Sequence, residues 1–300
     1  MNSPRFTIAI CTFNRCDVLP MAVRAAAALS PADGEFEILV VDNASTDATP
    51  SVLAELAREF PRVRSVVETT KGLSPARNRA LREARGEWIV YLDDDAIVAP
   101  AYLQTLARVI AEEKNLGGAG GIIEVGWLSP VPAWYEPGLD PQFNHLYIAS
   151  FRMELKFPKA IYGTNMAFPV GVLREIGGFS EAFGYAGNSQ LAGEDVEVQL
   201  RIVRDTGRRI VWEPELRIRH LIHPGRLTPE KMEQKAEWSG RALARLVRLY
   251  KHDWLRKVLW REALRLRIRR ALGMGPTDIT GRVREAQLRG FNDEWGKFRG

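Results

Sequence analysis

Three adjacent carboxylates, Asp93, Asp94 and Asp95, follow directly on the apolar run Trp88-Ile89-Val90-Tyr91-Leu92. Like charges a few ångströms apart repel by roughly 4 kcal/mol per pair at an effective dielectric near 20. Such a cluster needs open solvent, shared protons or a cation. The run before it has the β-branched and aromatic character of a buried strand. In an open α/β sheet, ligands gather at the carboxyl ends of strands, which is where these acids fall. Hard oxygen ligands suit magnesium or manganese, which bind through one or two carboxylates together with substrate phosphates. Three other places carry groups able to do chemistry. Asp42 ends a second strand-like run, Glu194-Asp195 opens a helical pattern, and His220 follows Arg217-Ile218-Arg219. Each also has a plainer account. Asp42 can close an Asx-turn. Acids in a first helical turn gain roughly 0.3–1 kcal/mol from the helix dipole. A lone histidine after a strand is commonly a surface or satisfied core residue.

Holding these groups together requires strand ends set side by side, and the chain has the pattern for that. Strands are expected over 7–13, 36–41, 63–67 and 87–92, each followed by a helical segment: to Leu29, from Ser45 or Thr46 to Phe60, from Ser74-Pro75 to Gly86, and from Pro100 to Lys114. Strand–helix alternation with short connections predicts a parallel sheet covered by helices. The run Gly117-Gly118-Ala119-Gly120-Gly121 then leads to a short strand. Residues 126–160 are proline-rich, lack a helical or strand period, and carry Trp127, Trp134 and Tyr135, whose rings could stack on a sugar or pack on their own domain. A strand over 161–168, a helix over 194–206 and a strand near 209–212 follow. From Pro229 the pattern is helical to Leu272, and the tail 276–300 is polar with weak signals.

At 46% hydrophobic and 26% charged, the 300 residues can bury a sizeable core. Cys11 and Cys16 are too few for a disulfide framework, and a reducing cytosol fits them. No stretch approaches 18 consecutive apolar residues, so a spanning helix is not expected. The net charge of +5 is uneven. Residues 241–270 hold eleven Arg or Lys against Asp253 and Glu262, whereas the first 240 residues sum to −5.

Eight motifs, taken in order, carry a resemblance: Thr7–Arg15 (TIAICTFNR), Ile38–Asp47 (ILVVDNASTD), Gly72–Arg79 (GLSPARNR), Leu92-Asp-Asp-Asp95, Gly163-Thr-Asn-Met-Ala167, Gly177-Gly-Phe179, Gly193-Glu-Asp195, and His220 with Arg226-Leu-Thr228. Across residues 7–228 the chain resembles family 2 glycosyltransferases, inverting enzymes of the GT-A fold. The resemblance implies an α/β fold with a Rossmann-like, mainly parallel sheet. It implies a catalytic domain over 1–228, with a nucleotide-sugar half to about 125 and an acceptor half from 126. Residues 229–300 would form a basic helical extension.

By the same resemblance, Asp95 and Asp93 belong to a DxD motif holding Mn²⁺ or Mg²⁺, with Asp94 between them, and His220 adds a third ligand; His223 competes for that place. Thr12, Asn14, Arg15, Asp42, Arg77, Asn78, Asp93, Asp94 and Arg226 would bind the donor, a UDP-, dTDP- or GDP-sugar. Thr164, Asn165 and Trp134 would line the sugar or acceptor pocket. The Glu194-Asp195 pair would supply the general base, Asp195 by choice, kept ionised by the helix dipole. The implied reaction is sugar transfer to a carbohydrate or lipid-linked acceptor in bacterial surface polysaccharide or glycolipid synthesis. A sugar-phosphate nucleotidyltransferase and a catalytically silent GT-A-fold binding protein are the alternatives. The implied location is cytoplasmic, at the inner face of the plasma membrane. For 241–272 two accounts stand: an amphipathic helix on an anionic membrane, or a packed appendage with a basic outer face. No recognised nucleic-acid module accompanies the charge.

Overall fold

The computed structural model describes residues 4–30, 36–186, 189–224, 228–271, 276 and 278–297. Two compact units divide the chain: Met1–Gly126, Asn144–Ala182 and Glu194–Leu221 form the first, and Trp127–Phe143, Phe183–Gly193 and Ile222–Gly300 the second. The 228/229 boundary expected from the sequence lies inside the second.

The first unit is built on an eight-stranded sheet. Its strands are β1 (Phe6–Thr12), β2 (Phe36–Asp42), β3 (Val63–Val67), β4 (Trp88–Asp93), β6 (Leu116–Gly120), β8 (Met153–Leu155), β9 (Asn165–Pro169) and β12 (Arg209–Trp212), in the spatial order β3-β2-β1-β4-β9-β6-β12-β8. β1, β2, β3 and β4 run parallel, with α1 (Leu19–Ala27), α2 (Thr49–Glu59) and α3 (Leu73–Glu83) as the crossovers. β1, β2 and β4 are almost wholly buried, the expected state of parallel strands covered on both faces. β9 lies antiparallel between β4 and β6, so the sheet is mixed at its centre. β5 (Ala96–Val98), β7 (Ile123–Trp127) and β13 (Ile218–Ile222) form a separate sheet ordered β5-β13-β7. Helices α4 (Tyr102–Glu112), α5 (Val170–Glu175) and α6 (Glu194–Thr206) complete the unit.

The glycine run, for which the sequence predicts no element of its own, is a strand through Gly120. β6 holds Gly117, Gly118 and Gly120 because its neighbours leave no room for a Cβ. One on Gly118 would lie 2.6 Å from the Phe168 ring, and one on Gly120 would lie 2.4 Å from the Asn165 carbonyl. Close approach by neighbouring strands, not a turn, explains the composition.

In the second unit the expected helix from Pro229 to Leu272 is two helices, α7 (Pro229–Leu249) and α8 (Asp253–Ala271). Lys251, at φ 56°, turns the chain between them. The polar tail also forms a helix, α9 (Ile279–Gly296), capped by the Asp278 carboxylate on Gly281 N–H. β10 (Gly184–Ala186) and β11 (Ser189–Leu191) make a short hairpin. α7 packs along α9 at two glycines. A Cβ on Gly240 would fall 1.9 Å from the Gln287 carbonyl oxygen, and one on Gly290 2.0 Å from that of Glu237. Backbone cannot yield as a flexible side chain can. Alanine gains about 1 kcal/mol over glycine in helix propensity, but forcing a packed interface apart costs typically about 1–3 kcal/mol. Gly240→Ala should therefore lower the melting temperature of the full chain. An equal or higher melting temperature would show that the helices separate freely.

Candidate active site

The strand register sets the candidate groups side by side. Thr12 pairs with Asp42, and Cys11 with Asp93, so the carboxyl ends of β1, β2 and β4 meet along one edge. β9 begins opposite, with Asn165 paired to Leu92, which brings the preceding Thr164 against Asp93. The Thr164 hydroxyl donates to Asp93 Oδ2 at 2.7 Å. On β13, His220 pairs with Ala96, just past the acids. Its Nε2 lies 3.1 Å from Asp95 Oδ1, and Leu221 N–H donates to the Asp95 carbonyl at 2.8 Å. Asp93, Asp95 and His220 each offer one ligand atom, all within 4.8 Å of one another. Asp95 and His220 are buried, and Asp93 is half-buried. Two carboxylates with one imidazole are a donor set that manganese accepts well and magnesium less well.

The three acids are held differently. Asp95 Oδ2 accepts from Arg15 Nη2, while Asp94 accepts from Arg15 Nε at 3.3 Å and from the Thr12 hydroxyl at 2.7 Å. Burial first, and the charge of Asp95 second, push the Asp94 carboxyl up to about 7 against the pull of Arg15 and Thr12. Asp94 thus faces the β1 loop, whereas Asp93 and Asp95 face the histidine.

Arg77, on α3, joins these acids to the Glu194-Asp195 pair. Its buried guanidinium donates to Glu194 Oε1 at 2.7 Å and stands 3.7 Å from Asp93 Oδ1. Burial alone would lower the Arg77 pKa, but Glu194 and Asp93 together raise it, so it stays a cation. Asp195 Oδ2 accepts from Gly163 N–H at 2.8 Å, and Oδ1 from Val196 N–H at 2.8 Å. The helix dipole expected to keep Asp195 ionised acts against burial. Burial raises its pKa, opposed by Arg77 and these two amides. That change makes it a stronger base.

Glu194 is buried, and among the described residues its Oε2 has no hydrogen-bond partner. Burial, then the charge of Asp195, push it up to about 7 despite Arg77. The folded chain therefore binds a proton that the unfolded chain has released by about pH 5. Its contribution to stability is full below the unfolded pKa and is lost as pH rises toward 7. Glu194→Gln should flatten that loss, which amounts to a few kcal/mol, since each tenfold difference in proton affinity is worth roughly 1.4 kcal/mol. Urea unfolding of both proteins at pH 5 and pH 8 measures it; parallel losses would remove Glu194 as the source.

Several expected donor and pocket residues have hydrogen-bond partners within the chain. Asn165 is fully buried, with its amide donating to the Leu216 and Ile122 carbonyls and accepting from the Tyr102 hydroxyl. It is a structural tie between strands, which corrects its placement in a sugar pocket. Asn14, at φ 52°, spends its side chain on Thr46 and the Asp47 N–H, while its own N–H donates to Ser45 Oγ. Ser45 and Thr46 are thereby drawn away from the helix cap expected of them, and α2 starts at Thr49. The Asn78 amide donates to the Phe179 carbonyl and accepts its N–H, fixing the Gly177-Gly178 turn. Asp42 is buried, and its Oδ1 accepts from Ser45 N–H at 2.9 Å. Trp134 belongs to the second unit, where Trp127, Tyr135 and Phe143 pack ring against ring. His223 also lies in that unit, and Arg226 lies outside the described residues. Asn43 went unassigned in the sequence. It ties the end of β2 to the start of α3 by donating to the Glu68 and Thr70 carbonyls and accepting from Gly72 N–H. Its only sequence signal is its place beside Asp42.

A mixed sheet whose β4 acids meet a histidine from the small three-stranded sheet matches the class of GT-A-fold glycosyltransferases, and solved structures share the fold. A mannosyltransferase from Pyrobaculum calidifontis, solved with GDP-Man and Mn²⁺, superposes at TM-score 0.64 over 100% of this chain and 89% of its own, at 21% identity. S. aureus TarS 1-349 with UDP-GlcNAc gives 0.55 over 98% of this chain and 91% of its own, at 16% identity. Residues 7–177 match the family described as Glycosyl transferase family 2, and the chain belongs to that family. Among curated relatives, a glucosyl-dolichyl phosphate glucuronosyltransferase of Haloferax volcanii is 22% identical over 58% of this chain and 55% of its own length. The succinoglycan biosynthesis protein ExoO of Rhizobium meliloti is 35% identical over 39% of this chain and 31% of its own. A beta-monoglucosyldiacylglycerol synthase of Nostoc is 38% identical over 27% and 18%. The chain thus spans about half or less of these relatives.

Proposed function

We propose that this chain is an inverting, metal-dependent glycosyltransferase that moves a hexose from a nucleoside-diphosphate sugar to an acceptor hydroxyl. The acceptor is a carbohydrate or lipid-linked molecule of surface polysaccharide or glycolipid synthesis. The single observation that carries the reading is the meeting of Asp93, Asp95 and His220 within 4.8 Å, with Asp195 tied to the same wall through Gly163 and Thr164. The relatives' named products, a dolichyl phosphate glycoside, succinoglycan and a glycosyl diacylglycerol, support the acceptor class.

Asp195 accepts the hydroxyl proton as the acceptor oxygen bonds to the anomeric carbon. The bond from that carbon to the diphosphate oxygen breaks on the opposite face, its electron pair leaves with the nucleotide, and the configuration inverts. A divalent cation held by Asp93, Asp95 and His220 supplies Lewis-acid stabilisation of the leaving diphosphate when bound. Arg77 keeps Glu194 and Asp93 in place. The Arg15 guanidinium, set between Asp94 and Asp95, has the planar fork suited to phosphate oxygens. Asp42 and Thr12, at the adjoining strand ends, stand on the nucleotide side.

Incubation with UDP-, dTDP- and GDP-sugars, with and without Mn²⁺, tests the reading. Metal-stimulated transfer or hydrolysis of one donor, with an inverted anomer by NMR, is the expected result. Pyrophosphate release from a nucleoside triphosphate and a sugar phosphate, with no donor consumed, would make the chain a nucleotidyltransferase. Nucleotide-sugar binding without turnover would make it a silent binding protein.

A further inference from the structure

Helix α8 presents two apolar faces where a helix packed in a soluble protein needs one. Leu255, Leu259 and Ala263 form a buried seam, and the helix lies against α9 and α7. Trp254, Val258, Trp260, Leu264 and Ile268 are each 41–53% exposed. At 3.6 residues per turn these five fall within an arc of about 160° on the outer side. Lys257, Arg261 and Arg265 are exposed on that same arc. The acid of this helix with a described side chain, Glu262, is turned away and paired with Arg284 at 2.6 Å. Among the described side chains the outer face is therefore apolar and cationic.

Exposed apolar faces of this extent mark a contact, and the chemistry selects which one. Paired tryptophans beside lysine and arginine belong at a lipid–water interface, where rings sit among headgroups and cations meet lipid phosphates. No described helix is long and apolar enough to cross a membrane, so α8 suits the plane of the interface. A cavity of about 250 Å³ adjoins the face, lined by Arg256, Lys257, Trp260, Phe291, Asn292 and Trp295. Aromatic walls with two cationic residues fit an anionic headgroup. Trp260 and Lys257 belong to both the cavity and the face.

We infer that the outer face of α8 is a docking surface for an anionic lipid bilayer, with a lipid phosphate seated at Arg256 and Lys257. This narrows the basic segment from all of 241–272 to one face of one helix. The inference concerns binding in the absence of any donor, so it stands or falls separately from the transferase reading.

Co-sedimentation of the full chain with phosphatidylglycerol-rich and with pure phosphatidylcholine vesicles is the test. Binding should be confined to the anionic vesicles and weaken with salt. It should persist in excess glycerol phosphate, which distinguishes a lipid surface from a free phosphate site. The triple variant Lys257→Gln, Arg261→Gln, Arg265→Gln should bind on the order of 100-fold more weakly. Trp254→Ser with Leu264→Ser should bind less without changing the salt dependence. All five positions are exposed, and circular dichroism with melting curves establishes that the variants fold. Equal binding to both vesicle types, no binding, or unchanged binding by both variants would overturn the proposal. So would a vesicle-free dimer that Trp254→Ser with Leu264→Ser dissolves, since the face would then belong to a second copy.

Discussion

Asp95→Asn should abolish sugar transfer, with turnover falling by roughly 10³-fold or more, equivalent to about 4 kcal/mol of lost transition-state stabilisation. Two interactions converge on this carboxylate, Arg15 at one oxygen and His220 at the other, and Leu221 N–H donates to the backbone carbonyl of Asp95. The amide is isosteric and leaves the backbone contact intact, so the fold should survive. What is lost is the negative charge that a cation and two basic neighbours require. Turnover at saturating donor measures the first effect, and Mn²⁺ affinity by electron paramagnetic resonance measures the second. Turnover within tenfold of the parent, with metal affinity unchanged, would take Asp95 out of the site. Asp94→Asn should do much less, because that side chain faces Thr12 and Arg15 rather than His220.

Asp195→Asn should lower turnover by about 10²–10⁴-fold, the range for removal of a positioned general base, while donor binding stays within a few-fold. The Gly163 and Val196 amides donate to different oxygens of Asp195, so the amide oxygen of the variant keeps one of these bonds and loses the other. The parent's rate should fall on the acid side as Asp195 takes up its proton. That fall should begin at higher pH than for an ordinary aspartate, because burial raises this carboxyl. Donor binding by calorimetry and a pH–rate profile check both statements. Unchanged turnover in the variant would assign the base to another group.

Motifs that lie on strand ends were legible because a strand's period and its terminal residue are local properties. Asp42, Asp93 and Asp95 could be placed from the apolar runs before them, and the register then set β1, β2 and β4 side by side. Residues whose role depends on what packs against them were not legible. Glycines 117, 118 and 120 gave no strand signal, since nothing in their own sequence announces the Phe168 ring and the Asn165 carbonyl that exclude a Cβ. Asn165, Asn78 and Asn14 read as ligand groups, since an amide's partners lie up to about a hundred positions away, as Phe179 does for Asn78. α9 was hidden because its buried apolar residues, Val283, Leu288 and Phe291, are few among polar ones, and its closest approach to α7 is made at glycines.

Gly163 and Thr164 are covalent neighbours, about 3.8 Å apart from one Cα to the next. One grips Asp195 through its N–H, and the other grips Asp93 through its hydroxyl. On the proposed reading, the place where the nucleophile would arrive and the place where the leaving group would depart are gauged by a single peptide unit. Movement of that unit would shift both contacts together. Enlarging residue 163 would break the gauge at once, since a Cβ there would meet Arg77 Nη2 at 2.5 Å, the guanidinium that braces Glu194. Adaptation to a different sugar must then come from the walls around this ruler and not from the ruler itself.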